Sequence, residues 1–120
     1  MDINLEKKDP HSIQSYDNTQ ITINNIIYHH SLIISKDQII DWAIQTDTPI
    51  NRANFQLFFE FKPEVLIIGH PKQQQIIPPE ILNALHQQKI GLESMILGAA
   101  CRTFNILLSE GRHVMLGIIF

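Results

Sequence analysis

The residues best placed to do chemistry lie in one stretch, residues 98–112, GAACRTFNILLSEGR. It holds the chain's one cysteine, Cys101, beside Arg102, with Arg112 at the far end. A thiol attacks only as thiolate, which a helix N-terminus or an adjacent cation favours, and it needs a base to take its proton. Arg102 and a helix start partly meet the first demand, but nothing in the local sequence meets the second. A lone cysteine is ordinarily a small buried hydrophobe, and Cys101 is read that way. Arg102 is the stronger candidate, since its planar guanidinium suits two-point binding of carboxylate or phosphate. Two readings stay open for it. It contacts a ligand or partner, or it fastens its helix by pairing with Glu93, Glu110 or Glu64. Arg112 follows Gly111 and reads as a cation complementing a helix C-terminus.

On a helical wheel, Ala100, Phe104, Leu107 and Leu108 share one side, with Cys101 at its margin. Arg102, Asn105 and Ser109 share another, so an apolar face meets a sheet and a narrow polar stripe faces away. Gly98 and Ala99 leave the first turn bare, open to a close backbone or to a ligand on the unpaired amides. Gly69-His70-Pro71 closes a presumed parallel strand, the end of open α/β sheets where ligands bind. His70 itself reads first as a turn residue. The six histidines make no metal pattern, because His29 and His30 are adjacent and no His-x3-His set occurs. Glycine-rich dinucleotide, Walker and Gly-x-Ser-x-Gly motifs are absent, and no cofactor is expected.

The elements that must position these residues follow from pattern. Ile21 and Ile23 alternate with polar residues, and Asn24-Asn25 falls where a two-residue hairpin turn belongs. SLIIS is a further strand, and IIDWAI fits either strand or helix. Asn51 caps a helix over RANFQLFFEF, ended by Lys62-Pro63. EVLIIG is an apolar strand buried on both faces, followed by a Gln-rich loop. Pro78-Pro79 opens a helix whose buried side is Ile81, Leu82 and Leu85. LESM, the segment from residue 98, and HVMLGIIF complete the order.

From residue 51 helix and strand alternate, which implies parallel strands joined by crossovers, plus antiparallel strands from the N-terminal hairpin. The reading is a single α/β domain over residues 20–120, after a polar N-terminal arm at residues 1–19. With 120 residues the length suits one core, and 44% hydrophobic against 18% charged residues is ordinary for a folded protein. A net charge of −3 gives no basic footprint, so no nucleic-acid partner is expected. One cysteine allows no internal disulfide, the first twelve residues read as neither secretory signal nor transit peptide, and no apolar run reaches spanning length. The expectation is a cytoplasmic protein with no membrane insertion.

PEVLIIGH, IGLESM and GAACRTFNILLSEGRHV, in that order and with the earlier SLIIS…DW block, resemble the uncharacterised family that includes mitochondrial complex I assembly factor 3 and the adipogenesis-associated protein. The resemblance covers roughly residues 20–120. It implies a three-layer β/β/α fold with a mixed sheet and helices on one face. Arg102, Thr103, Asn105 and Arg112 match the family pattern. The family's Gly-Thr-Gly appears as Gly69-His70-Pro71, its Met-Asp-Thr as Met95-Ile96-Leu97, and Phe104 replaces a common tyrosine. These departures remove hydroxyls and a carboxylate, which counts against a polar catalytic set. The resemblance implies no catalytic residues and favours a non-enzymatic interaction or assembly factor. Its protein partner would be met at Arg102, Asn105, Gly98, Ala99 and the Gly69–Pro71 loop. The alternative is a small-anion or metabolite binder, or a cryptic enzyme, with a pocket between Gly69 and the helix starting at Gly98. The oligomeric state is left open.

Overall fold

The computed structural model describes residues 11–45, 47–71 and 76–120. The Gln-rich loop expected at residues 72–75, and the first ten residues of the expected arm, lie outside them. A small sheet is formed by β1 (Ser15–Asp17), β2 (Gln20–Ile23) and β3 (Ile26–Tyr28) in that order, all antiparallel. The β2–β3 turn is Asn24-Asn25, with φ of 53° and 64°. Both are left-handed, as the expected hairpin requires.

The five-stranded sheet contains β4 (Leu32–Ile34), β5 (Ile39–Asp41), β6 (Val65–His70), β7 (Gly91–Ile96) and β8 (Val114–Ile118), ordered β5-β4-β8-β6-β7. β6 runs parallel to both β7 and β8, while β4 is antiparallel to β5 and β8. The alternation of helix and strand therefore produced the parallel half of a mixed sheet, in a single α/β domain.

Asn51 caps a 3₁₀ turn at Arg52–Phe55, exchanging bonds with Asn54, before α1 (Gln56–Phe61) ends at left-handed Lys62. α2 (Pro79–Gln87) starts on proline, and α3 (Leu97–Ser109) ends in a glycine cap. There Gly111 takes φ 75°, its N–H donates to the Leu108 carbonyl and that of Arg112 to the Leu107 carbonyl. This paired closure is the Schellman arrangement.

The helices do not share one face, and here the expectation is corrected. Ile67, Leu116 and Ile118 pack with Phe104 and Ala100 of α3 and with Ile21 and Ile23 of the small sheet. Leu66, Ile68 and Met115 point the other way, onto Trp42, Phe55, Phe58, Ile81 and Leu85. The topology requires this. The chain steps outward from β6 to β7 through α2, then back past β6 to β8 through α3. Crossovers of one hand taken in opposite directions place their helices on opposite faces.

Two further expectations change. Leu82 is 42% exposed, so α2 buries only Ile81 and Leu85. The polar arm also stops well short of residue 19, because Ile13 is buried in the α3-side core and β1 lies within residues 15–17.

Candidate functional site

α3 crosses β6 at Gly69. A Cβ built there would lie 3.0 Å from Ala100 Cβ and 3.6 Å from Leu97 Cδ1. The missing side chain is what lets helix and strand approach so closely. The pocket expected between Gly69 and the start of α3 is thus occupied by the helix itself. His70 is the last residue of β6 rather than a turn residue, and it is only 2% exposed. Its Nε2 lies 2.8 Å from Ser94 Oγ on β7, linking the ends of two parallel strands. Burial holds its pKa below the usual imidazole value, which favours the neutral ring. Pro71 is half-buried. The Gly69–Pro71 loop and the helix face therefore do not form one open surface.

Cys101 is buried, and burial pushes its thiol up to about 12, against a smaller downward pull from Arg102. That is the electrostatics of an inert core thiol.

Arg102 is exposed, and its Nη1 donates to the Tyr16 hydroxyl at 3.2 Å. No carboxylate faces it among the described residues. Glu64, one of the acids expected to hold it, instead accepts from Arg112 Nε at 3.3 Å and from the His113 N–H at 3.1 Å. These bonds lower the Glu64 pKa. Tyr16 sits against Gly98, where a Cβ would meet its hydroxyl at 2.7 Å. The missing side chain at Gly98 is what makes room for Tyr16, and the half-buried Ala99 follows it. Ile106, one turn beyond Arg102 on the same stripe, is exposed.

Asn105 has a scaffolding role. Its Oδ1 accepts from the Ile13 N–H at 2.7 Å and its Nδ2 donates to the Ile13 carbonyl at 3.0 Å. The side chain acts as a strand neighbour for the N-terminal segment.

The sequence reading missed Tyr16. The signal that finds it is Asp17-Asn18-Thr19, a turn tripeptide after a short β-prone run. Asp17 Oδ1 accepts from the Thr19 N–H at 2.8 Å and from its hydroxyl at 2.9 Å, which lowers the Asp17 pKa. Among the described residues no three His, Cys, Asp or Glu side chains gather as a metal-ligand set. A cleft of about 280 Å³ lies between the Ser35–Gln38 turn and the Gly111–Met115 segment, beside Phe61. It is at the opposite end of the parallel strands from His70.

The sequence pattern of the family described as "Protein of unknown function (DUF498/DUF598)" matches residues 13–119. The chain belongs to this family. It is 31% identical over 94 residues to the "13 kDa major membrane protein" of Francisella tularensis, covering 77% of this chain and 76% of that one. It is 28% identical over 102 residues to the mouse "NADH dehydrogenase (ubiquinone) 1 alpha subcomplex assembly factor 3". That match covers 83% of this chain but only 55% of the mouse protein, so the chain spans about half of its length. A Xanthomonas campestris protein solved by NMR superposes with a TM-score of 0.83 at 29% identity, over 98% of this chain and 92% of that one. The family match agrees with the expected resemblance, and the superposition agrees with the single α/β domain.

Proposed function

We propose that this DUF498/DUF598 protein is a non-enzymatic interaction module, an accessory or assembly factor for another protein. Its contact surface is the outer stripe of α3 with Tyr16. One observation carries the reading. Arg102 is exposed and charged, braced by a neutral hydroxyl instead of a carboxylate, and Ile106 is exposed beside it. An uncompensated guanidinium next to an apolar side chain has the composition of a binding hot spot, where Arg and aromatic residues concentrate the energy. Relatives named as assembly factors support a role in assembly at the level of the family. The buried Cys101 and Gly69, and the strand-terminal His70, argue against chemistry at this pole. A cytoplasmic location, with the single thiol reduced, completes the proposal.

The test is affinity capture from native lysate with the wild-type chain, Arg102→Ala and Ile106→Glu, compared by quantitative mass spectrometry. The expected result is a partner recovered by wild type and lost with both variants, at unchanged melting temperature. Identical recovery with all three removes this surface from the proposal.

A further inference from the structure

The cleft between the Ser35–Gln38 turn and the Gly111–Met115 segment exists because one strand stops before its neighbour. The ladder of β4 with β8 ends at Ile34 and Leu116. There the chain folds into a tight turn, in which the Ser35 N–H donates to the Gln38 carbonyl at 2.9 Å and Ser35 Oγ accepts from the Gln38 N–H at 3.1 Å. β8 extends past that point to Val114, held by β6 through Val65. The two strands splay, and a notch of about 280 Å³ opens between them. Pockets for drug-sized ligands run from about 300 to 1,000 Å³, so this one suits a single small metabolite.

Its wall offers main-chain groups. The His113 carbonyl accepts from the Glu64 and Val65 N–H groups at 2.8 and 3.4 Å, and the Ile119 N–H donates to the Gly69 carbonyl at 3.1 Å. The odd-numbered residues of this strand therefore face β6, and Val114 turns its N–H and C=O toward the β4 side. Continuing the register puts Lys36 opposite Val114. Lys36 has left for the turn, however, and among the described residues no main-chain bond joins the two. Buried main-chain groups are ordinarily paired, and Val114 is buried where it lines the cleft.

Charges of both signs stand at the same place. Lys36 and Asp37 line the cleft, and neither forms an ion pair among the described residues. Arg112, also in the lining, is committed to Glu64. Phe61, 39% exposed at the end of α1, supplies an apolar wall together with Met115. A dianion is not favoured here, because Asp37 and Glu64 offset Lys36 and Arg112. The complement of such a wall is a zwitterion with an apolar body. We propose that the cleft binds a free amino acid with an apolar side chain. Its carboxylate accepts from Lys36 and the Val114 N–H, its ammonium donates to Asp37 and the Val114 carbonyl, and its side chain covers Phe61. The site lies at the opposite end of α3 from Gly98 and uses none of the Arg102 surface, so it stands independently of the interaction proposed there.

Amide-resolved NMR titration of the full chain with L-phenylalanine tests the proposal. Saturable shifts are expected at the amides of Lys36, Asp37, Gln38 and Val114, with a submillimolar dissociation constant. Phenylpropanoate lacks the amino group and phenylethylamine lacks the carboxylate. Each is expected to bind ~10-fold or more weakly than the amino acid, because it leaves a polar group of the cleft without its partner. Lys36→Ala and Asp37→Ala should each weaken L-phenylalanine by ~10-fold or more, the worth of a hydrogen bond to a charged group. The melting temperature without ligand should not move in either variant, since both side chains are exposed. No saturable shift at these amides with L-phenylalanine, L-leucine or L-methionine in millimolar excess overturns the proposal. So does an affinity unchanged in either variant. Phenylpropanoate binding as tightly as L-phenylalanine overturns the assignment of an amino acid.

Discussion

Cys101 and Arg102 are neighbours in sequence, yet α3 sends one into the core and the other to solvent, and their chemistry separates accordingly. With the thiol pushed up to about 12, thiolate is scarce at pH 8. Labelling of Cys101 by a thiol reagent is expected to be ~100-fold or more slower in the folded protein than in urea, because the thiolate is the reacting species. The same shift has a consequence for stability. The unfolded thiol ionises near 9.0 and the folded one does not, so stability falls as pH climbs from 9 toward 12. His70 acts at the other end of the scale. Its pKa is lowered by burial from 6.5, so the unfolded chain binds a proton that the folded chain resists. Urea-unfolding midpoints are expected to hold above pH 6.5 and to drop as pH falls below it, and His70→Gln should flatten that drop. An equally steep drop in His70→Gln would assign it to other groups. At Arg102 the expected outcome is different. Arg102→Ala changes stability by no more than about 0.5 kcal/mol, because the side chain is exposed and, among the described residues, bonded only to Tyr16.

The crossing of α3 over β6 is the element-scale event that the sequence left open between two readings. Gly98, Ala99 and Ala100 were legible as a place of close approach, but a ligand and a neighbouring strand ask for the same small residues. The contact at 3.0 Å from a Gly69 Cβ decides for the strand. Gly69→Ala is expected to cost about 1–3 kcal/mol by overpacking this crossing. Adding Ala100→Gly should recover part of the loss despite its own helix penalty, and a double-mutant cycle by urea unfolding measures the coupling. Additive effects would mean that the two positions do not meet. Asn105 carries the companion prediction. Asn105→Ala removes both partners of the Ile13 backbone and is expected to cost about 1–3 kcal/mol, whereas a surface asparagine would cost almost nothing. Elements set by strong local rules were readable: the Asn24-Asn25 hairpin, the Asn51 cap, the proline start of α2. Leu82 was not, because its place on the wheel follows from where β7 lies, and no local pattern encodes that.

Across the whole molecule, the sequence carried the alternation and hence the α/β class, while the distribution of helices over two faces depended on strand order. No pairing between β8 and β6 can be inferred from either strand alone, since both are uninterrupted apolar runs. The N-terminal boundary failed for a related reason. Residues 11–19 are polar in composition, so they resemble an arm, yet one apolar residue among them, Ile13, is only 7% exposed. Asn105 fixes that residue's backbone, and β1 extends the small sheet that roofs the α3-side core. Deleting residues 1–19 therefore separates the two views of the domain. A dispensable arm predicts an unchanged melting temperature, and the structure predicts a large loss. Ile13→Ala alone is expected to cost about 2–4 kcal/mol, as for other buried isoleucines. The deletion should exceed it, because β1 and the bonds to Ile13 go as well. Thermal unfolding of the deletion beside Ile13→Ala settles the boundary: if both melt with the wild type, the domain begins at residue 20.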